Sequence, residues 1–403
     1  MANALQQLAD LGVAIWLDDL SRARIQSGEL ADMVENGGVV GITTNPTIFA
    51  KAIGNGSGYE DQVHDLALRG TAVGETVRLL TAWDVRAACD LLQPTAARTG
   101  GRDGRVSIEV DPRIAQDAAR TAAEARGLWW LVDRPNLFIK IPATLAGLPA
   151  ITETLATGIS VNVTLIFSVE RYQAVIEAFL AGLEQRLAGG GSLDGLESVA
   201  SFFVSRIDVE IDRQLDAMTG NGNADAAALR GKAATANAQL AYEVYEATLA
   251  SPRWQALQAQ GGRMQRLLWA STGVKDKSYD DTRYVIELVA PDTVNTMPAA
   301  TLAAVADHGN PHGNAVAGTY DAARETFDRL RRVGIDFAKV VDDLEQQGLA
   351  SFAKSWEELI ASVTDQMEKA GAEVMPAGAV KPVSGEGGAK PGPAAAAPGR
   401  TAA

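Results

Sequence analysis

Short runs of aliphatic and β-branched residues alternate with longer amphipathic stretches along most of the chain. The short runs predict strands at Val13–Leu17, Val39–Thr43, Arg105–Val110, Leu137–Ile141, Ile159–Leu165, Val199–Val204 and Leu267–Ala270, with a more weakly patterned one at Val294–Thr296. Between them, apolar positions recur at helical spacing over Asp111–Leu131, Ser168–Leu187, Arg206–Met218 and Asp225–Leu249. Strands alternating with helices build parallel sheets joined by crossover helices. About eight such units predict a closed (β/α)8 TIM barrel, for which roughly 250 residues are typical. A doubly wound open sheet is the alternative, but no G-x-G-x-x-G follows a predicted strand.

Helical periodicity from Tyr320 to Lys369 adds C-terminal helices that pack on the body, with Phe327, Leu330, Phe337, Val340, Leu344, Phe352 and Trp356 on their apolar side. From Val374 to Ala403 periodicity stops and Ala, Gly and Pro dominate, which predicts a disordered tail. The expected organisation is one barrel domain with its C-terminal helices over 1–373, followed by a tail over 374–403. The Gly-rich segments Gly54–Gly58, Gly189–Gly191 and Gly220–Asn223 precede no Lys-Ser/Thr pair, so they read as surface loops rather than phosphate cradles.

Side chains of a strand alternate between two faces. Leu137, Ile139 and Ile141 share one face, and Phe138 and Lys140 the other. Val106, Ile108 and Val110 oppose Ser107 and Glu109, while Val161, Val163 and Leu165 alternate with Ser160, Asn162 and Thr164. Trp16 pairs in parity with Asp18, Thr43 with Asn45, and Ser201 with Phe203. One face is therefore aliphatic and suited to lie under the helices. The other gathers Asp18, Asn45, Glu109, Lys140, Asn162, Thr164 and Ser201 towards the C-terminal strand ends, where barrel sites assemble. A lone polar residue there is most simply a solvated or structural group. Shared parity over several strands points instead to a site.

A lysine on such a strand between Phe and Pro, facing inward, is desolvated, which disfavours its ammonium form and leaves an amine able to attack a carbonyl. Asp18 and Glu109 then supply a base and a proton relay. The plainer alternative is a buried Lys140–Glu109 ion pair with a structural role only.

Composition narrows the classes further. With 47% hydrophobic and 21% charged residues, the chain has the make-up of a globular protein with a large core. The net charge of −14, with no basic cluster, argues against nucleic acid as a partner. One cysteine and three histidines leave neither an internal disulfide nor a Cys/His metal site, so the expected metal is none. Cys89 falls in an amphipathic run and reads as a buried small hydrophobe. No long apolar run and no basic leader occur, so the expectation is a cytoplasmic protein with no membrane association. The Asn162-Val163-Thr164 sequon would matter only after secretion.

The segments WLDDLSR, GITTNPTIFAKAI, VSIEVDPR, NLFIKIPAT, GISVNVTLIFS and SFFVSRID resemble transaldolases, in the order of that family and across most of Leu11–Pro298. WASTGVKDKSY and DTVNTMP are similar to its longer bacterial and plant-like branch. The resemblance implies that Lys140 is the Schiff-base nucleophile and Asp18 the base for the ketose C4 hydroxyl. It implies that Glu109 and Thr164 hold a proton-shuttling water, and that Asn45 and Asn162 bind the dihydroxyacetone unit, with Thr43 and Ser201 nearby. Phe203 lines the site against water, and Arg206 takes the substrate phosphate at a helix N-terminus. One departure concerns the next strand end, where many members carry Ser-x-Arg and this chain reads Ser271-Thr272-Gly273. Lys275 is the candidate replacement, as a point charge; otherwise Lys275 and Lys277 are solvated loop charges.

The implied reaction moves dihydroxyacetone from sedoheptulose 7-phosphate to glyceraldehyde 3-phosphate, giving erythrose 4-phosphate and fructose 6-phosphate, with no cofactor and in a monomer or homodimer. The alternatives are a fructose-6-phosphate aldolase, against which chain length, Glu109 and Phe203 weigh, and a non-catalytic sugar-phosphate binding barrel.

Overall fold

The computed structural model describes residues 3–55, 57–220 and 223–374. Eight parallel strands close into a barrel in sequence order. They are β1 (Val13–Leu17), β2 (Gly41–Ile42), β3 (Arg105–Glu109), β4 (Leu137–Pro142), β5 (Val161–Ile166), β6 (Ser198–Phe203), β7 (Arg266–Ala270) and β8 (Thr293–Met297). β8 returns to pair with β1 over five residues, so the sheet has no edge. The principal helices are α1 (Pro46–Gly54), α2 (Val73–Arg98), α3 (Ala118–Val132), α4 (Leu148–Ala156), α5 (Val169–Ala188), α6 (Ser205–Thr219), α7 (Ala233–Leu249), α8 (Ala299–His308), α9 (Tyr320–Val333) and α10 (Phe337–Val374). None of the described helices is long and apolar enough to cross a membrane.

All eight expected strands are present, with local differences. β2 is confined to Gly41–Ile42, shorter than the Val39–Thr43 run, although Val40 and Thr43 still donate backbone hydrogen bonds to Ile15 and Leu17 of β1. β5 begins at Val161 rather than Ile159 and carries a bulge between Val163 and Ile166. Leu165 sits there in the left-handed region at φ 60° and leaves the simple alternation expected of it. The Asp111–Leu131 stretch opens instead with a 3-10 turn, Pro112–Ile114, and resumes as α3 once the Asp117 side chain caps the Arg120 N–H. The Asp225–Leu249 stretch is interrupted at Gly231. Cys89 is fully buried in α2, as its amphipathic setting implied. The segment expected to be a tail lies outside the described residues apart from Val374, which ends α10.

Parallel strands covered on both faces should be buried throughout. Every strand residue here is buried except Ala14, which is partly so. Beneath the site the lumen is filled by Trp16 and Phe138, whose rings stack with centroids 6.0 Å apart. This filling needs a residue without a side chain at Gly41, the partner of Trp16 in the β1–β2 register. A Cβ there would lie 2.3 Å from the Trp16 indole.

The C-terminal helices form where periodicity placed them, with a break at Gly334 and a cap from Asp336 to the Lys339 N–H. They are not merely peripheral, however. α10 carries a single buried stripe, Val340, Leu344, Phe352, Trp356, Leu359 and Val363, and Gly348 continues it where Leu165 and Arg206 come closest. Thr47 and Ser355 hydrogen-bond at 2.8 Å, Gln366 donates to the Ile53 carbonyl at 3.0 Å, and Arg171 pairs with Glu345 at 2.8 Å. These contacts hold α10 across the C-terminal mouth of the barrel.

Overpacking of a filled core costs about 1–3 kcal/mol, so Gly41→Ala is expected to lower the urea-unfolding free energy by about that amount. An unchanged unfolding midpoint would show that Trp16 does not depend on the missing side chain.

Candidate active site

The strand register assembles the central groups. Glu109 on β3 is level with Lys140 on β4, which is level with Asn162 on β5. Residues of one parity at one level of a parallel sheet are neighbours. The Lys140 ammonium accordingly lies 3.2 Å from Glu109 Oε2, and it donates to the Thr44 carbonyl at 3.0 Å. Both side chains are almost wholly buried, at 5% and 2% exposure, so this is a desolvated pair rather than a rim contact.

A cavity of about 260 Å³ opens above this row, at the C-terminal strand ends. Asp18, Thr43, Asn45, Lys140, Thr164, Ser201, Phe203, Arg206, Ser271 and Lys275 all line it. Two expected residues do not. Glu109 reaches the cavity only through Lys140. Asn162 is fully buried beside it, donating to Ser107 Oγ at 3.0 Å and accepting from Ser201 Oγ at 2.7 Å. A larger groove of about 1100 Å³ lies between α5, α7, α9 and the start of α10, but no strand residue lines it. The polar residues that strand parity set on one face converge on the smaller space.

Burial raises both carboxyl groups above their ordinary range, opposed chiefly by the Lys140 charge. Asp18 follows β1, where its N–H donates to Met297, and keeps an edge open to the cavity. The Thr43 hydroxyl donates to Asp18 Oδ1 at 2.8 Å, which favours the carboxylate, and also lies 2.7 Å from Thr296 Oγ1. Glu109 Oε1 and Thr164 Oγ1 are buried without a hydrogen-bond partner among the described residues, whereas Glu109 Oε2 faces the Lys140 ammonium at 3.2 Å.

The polar lining is set by local chain signals. In Thr-Thr-Asn-Pro, Asn45 is the N-cap of α1 and Pro46 its first residue. Its Oδ1 accepts from the Ile48 N–H at 3.0 Å, so only the amide nitrogen is left for a ligand. Arg206 stands in the first turn of α6 against the Phe203 ring, 5.2 Å from its centroid. Burial lowers its pKa, and it has no salt-bridge partner among the described residues. Ser271 is held at φ 56° and accepts the Ser205 N–H through its carbonyl. Lys275 lines the rim while remaining exposed; Lys277 does not line the cavity. The segment that carries Lys275 is pinned to α6 by Tyr279 to Asp212 at 2.6 Å and Tyr284 to Asp208 at 2.7 Å. These bonds tie the chain segment after Lys275 to the helix that carries Arg206.

Thr296 and Phe352 also line the cavity and were not anticipated. Thr296 has the inward parity of its short strand, a signal that was available. Phe352 is one of several apolar residues on α10, and periodicity alone does not say what that stripe covers.

The family model described as Transaldolase/Fructose-6-phosphate aldolase matches residues 15–363. The chain belongs to this family. A protein named Transaldolase from Thermobifida fusca is 59% identical over 367 residues, spanning 91% of this chain and 99% of the relative. Transaldolase 1 of Streptomyces coelicolor is 58% identical, covering 92% and 97% of the two chains. The Frankia alni Transaldolase is 57% identical, covering 93% and 100%.

Removing one member of a buried ion pair leaves an unpaired charge, at a cost of about 3–5 kcal/mol. In Lys140→Ala, Glu109 loses the cation that lowers its pKa, so its already raised folded-state value rises further. A raised carboxyl pKa penalises folding above that pKa and not below the unfolded value. The loss in unfolding free energy is therefore expected to be largest near pH 8 and to shrink towards pH 5. A pH-independent loss in urea titrations would contradict this electrostatic account.

Proposed function

We propose that this chain is a transaldolase that carries dihydroxyacetone as a Schiff base on Lys140 between sedoheptulose 7-phosphate and glyceraldehyde 3-phosphate, with erythrose 4-phosphate and fructose 6-phosphate as products. Relatives of that name over nearly the whole chain support the reaction class. The observation that carries the mechanism is a buried amine facing the cavity, with one carboxyl 3.2 Å away and another lining the same space.

The Lys140 amine, once neutral, adds to the ketose carbonyl, and loss of water gives an iminium. Glu109 through Oε1 and Thr164 through Oγ1, both buried without a protein hydrogen bond, are suited to hold the water that moves protons in that step. Asp18 takes the C4 hydroxyl proton. The C3–C4 bond breaks, an aldehyde leaves, and the electron pair enters the iminium to give an enamine. The enamine carbon then attacks the acceptor aldehyde, Asp18 returns the proton, and water adds to the resulting iminium so that the C–N bond breaks and the product ketose leaves the free amine. Asn45 offers its amide nitrogen to a substrate hydroxyl, while Asn162 and Ser201 form a linked pair beside Lys140. Arg206 and Lys275 hold phosphate, with Ser271 between them. No step calls for a metal or organic cofactor, and the reading places the protein in the cytoplasm.

Borohydride reduction with fructose 6-phosphate should leave a reduced three-carbon adduct on the Lys140 peptide. Lys140→Arg should lose activity by about 10⁴-fold or more, because a guanidinium stays protonated. Turnover in that variant, or an adduct on another residue, rejects the mechanism.

The Asp18 carboxylate gains a charge-assisted hydrogen bond from Thr43 worth about 1.5 kcal/mol, or about one pH unit. Thr43→Val should therefore raise the acid limb of the kcat profile by about one unit, since activity requires the deprotonated base. A limb that stays in place would remove Asp18 from that role.

A further inference from the structure

Phe352 is the one contribution of α10 to the cavity lining, and it reaches the reacting amine from outside the barrel. Its ring centroid lies 5.7 Å from Lys140 Nζ, and the residue is only 3% exposed. The approach is built into the helix. One turn earlier, Gly348 lets α10 settle against β5, where a Cβ would lie 3.0 Å from Leu165 and 3.6 Å from Arg206. One turn later, Trp356 is buried with the Arg113 guanidinium 5.9 Å from its ring. Ser355 is tied to Thr47, and Glu345 to Arg171, so the helix keeps its position independently of the Phe352 ring.

We propose that Phe352 is a specificity-determining residue that covers the Lys140 amine with an apolar face, so that a carbon fragment held there is passed to an acceptor rather than lost to water. The proposal rests on the Schiff-base reading above. After the donor aldehyde leaves, the enamine has two fates. In one, its carbon forms a bond to the acceptor carbonyl carbon, and the carbonyl oxygen takes a proton. In the other, a proton is delivered to the same carbon, regenerating the iminium. Water then adds to that iminium, and the C–N bond breaks to release free dihydroxyacetone and the amine. Only the second path needs water near Nζ before the acceptor arrives. Phe203 borders the cavity from β6, and Phe352 adds an apolar surface from α10 over the amine itself.

The test compares the unsubstituted chain with Phe352→Ala and with Phe352→Gln, which keeps a long side chain and suits a helix but carries an amide towards the amine. Fructose 6-phosphate is supplied with and without glyceraldehyde 3-phosphate or erythrose 4-phosphate, and free dihydroxyacetone is counted against transferred units. Both variants are expected to raise the release-to-transfer ratio by about tenfold or more, with the borohydride adduct still on Lys140. Phe352→Leu, apolar throughout, should stay within about threefold of the unsubstituted chain. A ratio that does not move in either polar or truncated variant, while the adduct forms and thermal melting shows a folded protein, overturns the role of Phe352 alone. No adduct in the unsubstituted chain would instead remove the Schiff-base reading, and this proposal with it. If Phe352→Ala does not fold, the Phe352→Gln ratio decides.

Discussion

An ammonium and a carboxylate taken out of water each lose several kcal/mol of solvation, and their attraction offsets this only at close range and in fixed geometry. Lys140 and Glu109 are in that situation, 3.2 Å apart inside a closed barrel. Their separation follows from the β3–β4 register, and the register is fixed because every strand has two paired neighbours. Below the pair, Trp16 and Phe138 fill the lumen and keep water from entering from beneath. Above it, the carboxyl of Asp18 and the cations of Arg206 and Lys275 face one small space. Much of the architecture serves to hold two charges where neither is comfortable.

That discomfort is chemically useful. The ion pair that could have been purely structural is also the arrangement that keeps an amine and an acid in proton-transfer range. The same burial raises the Asp18 and Glu109 carboxyl pKa values, which suits them to the proton transfers of the proposed mechanism. The Lys140 charge favours the carboxylate form of both, and Asp18 has a threonine hydroxyl in addition. Two acids in one site are thus distinguished by their partners.

Much of this was legible in the chain because strands have a period of two. Trp16 with Asp18, Phe138 with Lys140, and Ser107 with Glu109 could be assigned to one face before any register was known, and the barrel sets those faces inward. What periodicity does not encode is distance between elements. It could not say that Asn162 would be enclosed by Ser107 and Ser201 rather than open to the cavity. Nor could it show that a bulge would turn Leu165 towards the last helix. The apolar stripe of α10 announced a buried face without naming what lay beneath it. Arg206 and Lys275 were visible as charges, but the tyrosine–aspartate contacts that join their two segments link parts of the chain far apart in sequence.

The placement of α10 has a consequence for how the site comes into being. All eight strands are complete by Met297, yet the wall over Lys140 is contributed by a residue 55 positions further on. During synthesis from the N-terminus, a closed sheet can exist before the chamber above it does. Such a nascent barrel would carry its nucleophile uncovered until the final helix docks. Assembly of the scaffold and completion of the chamber can therefore be separate events in time, and the later one places Phe352 beside the amine.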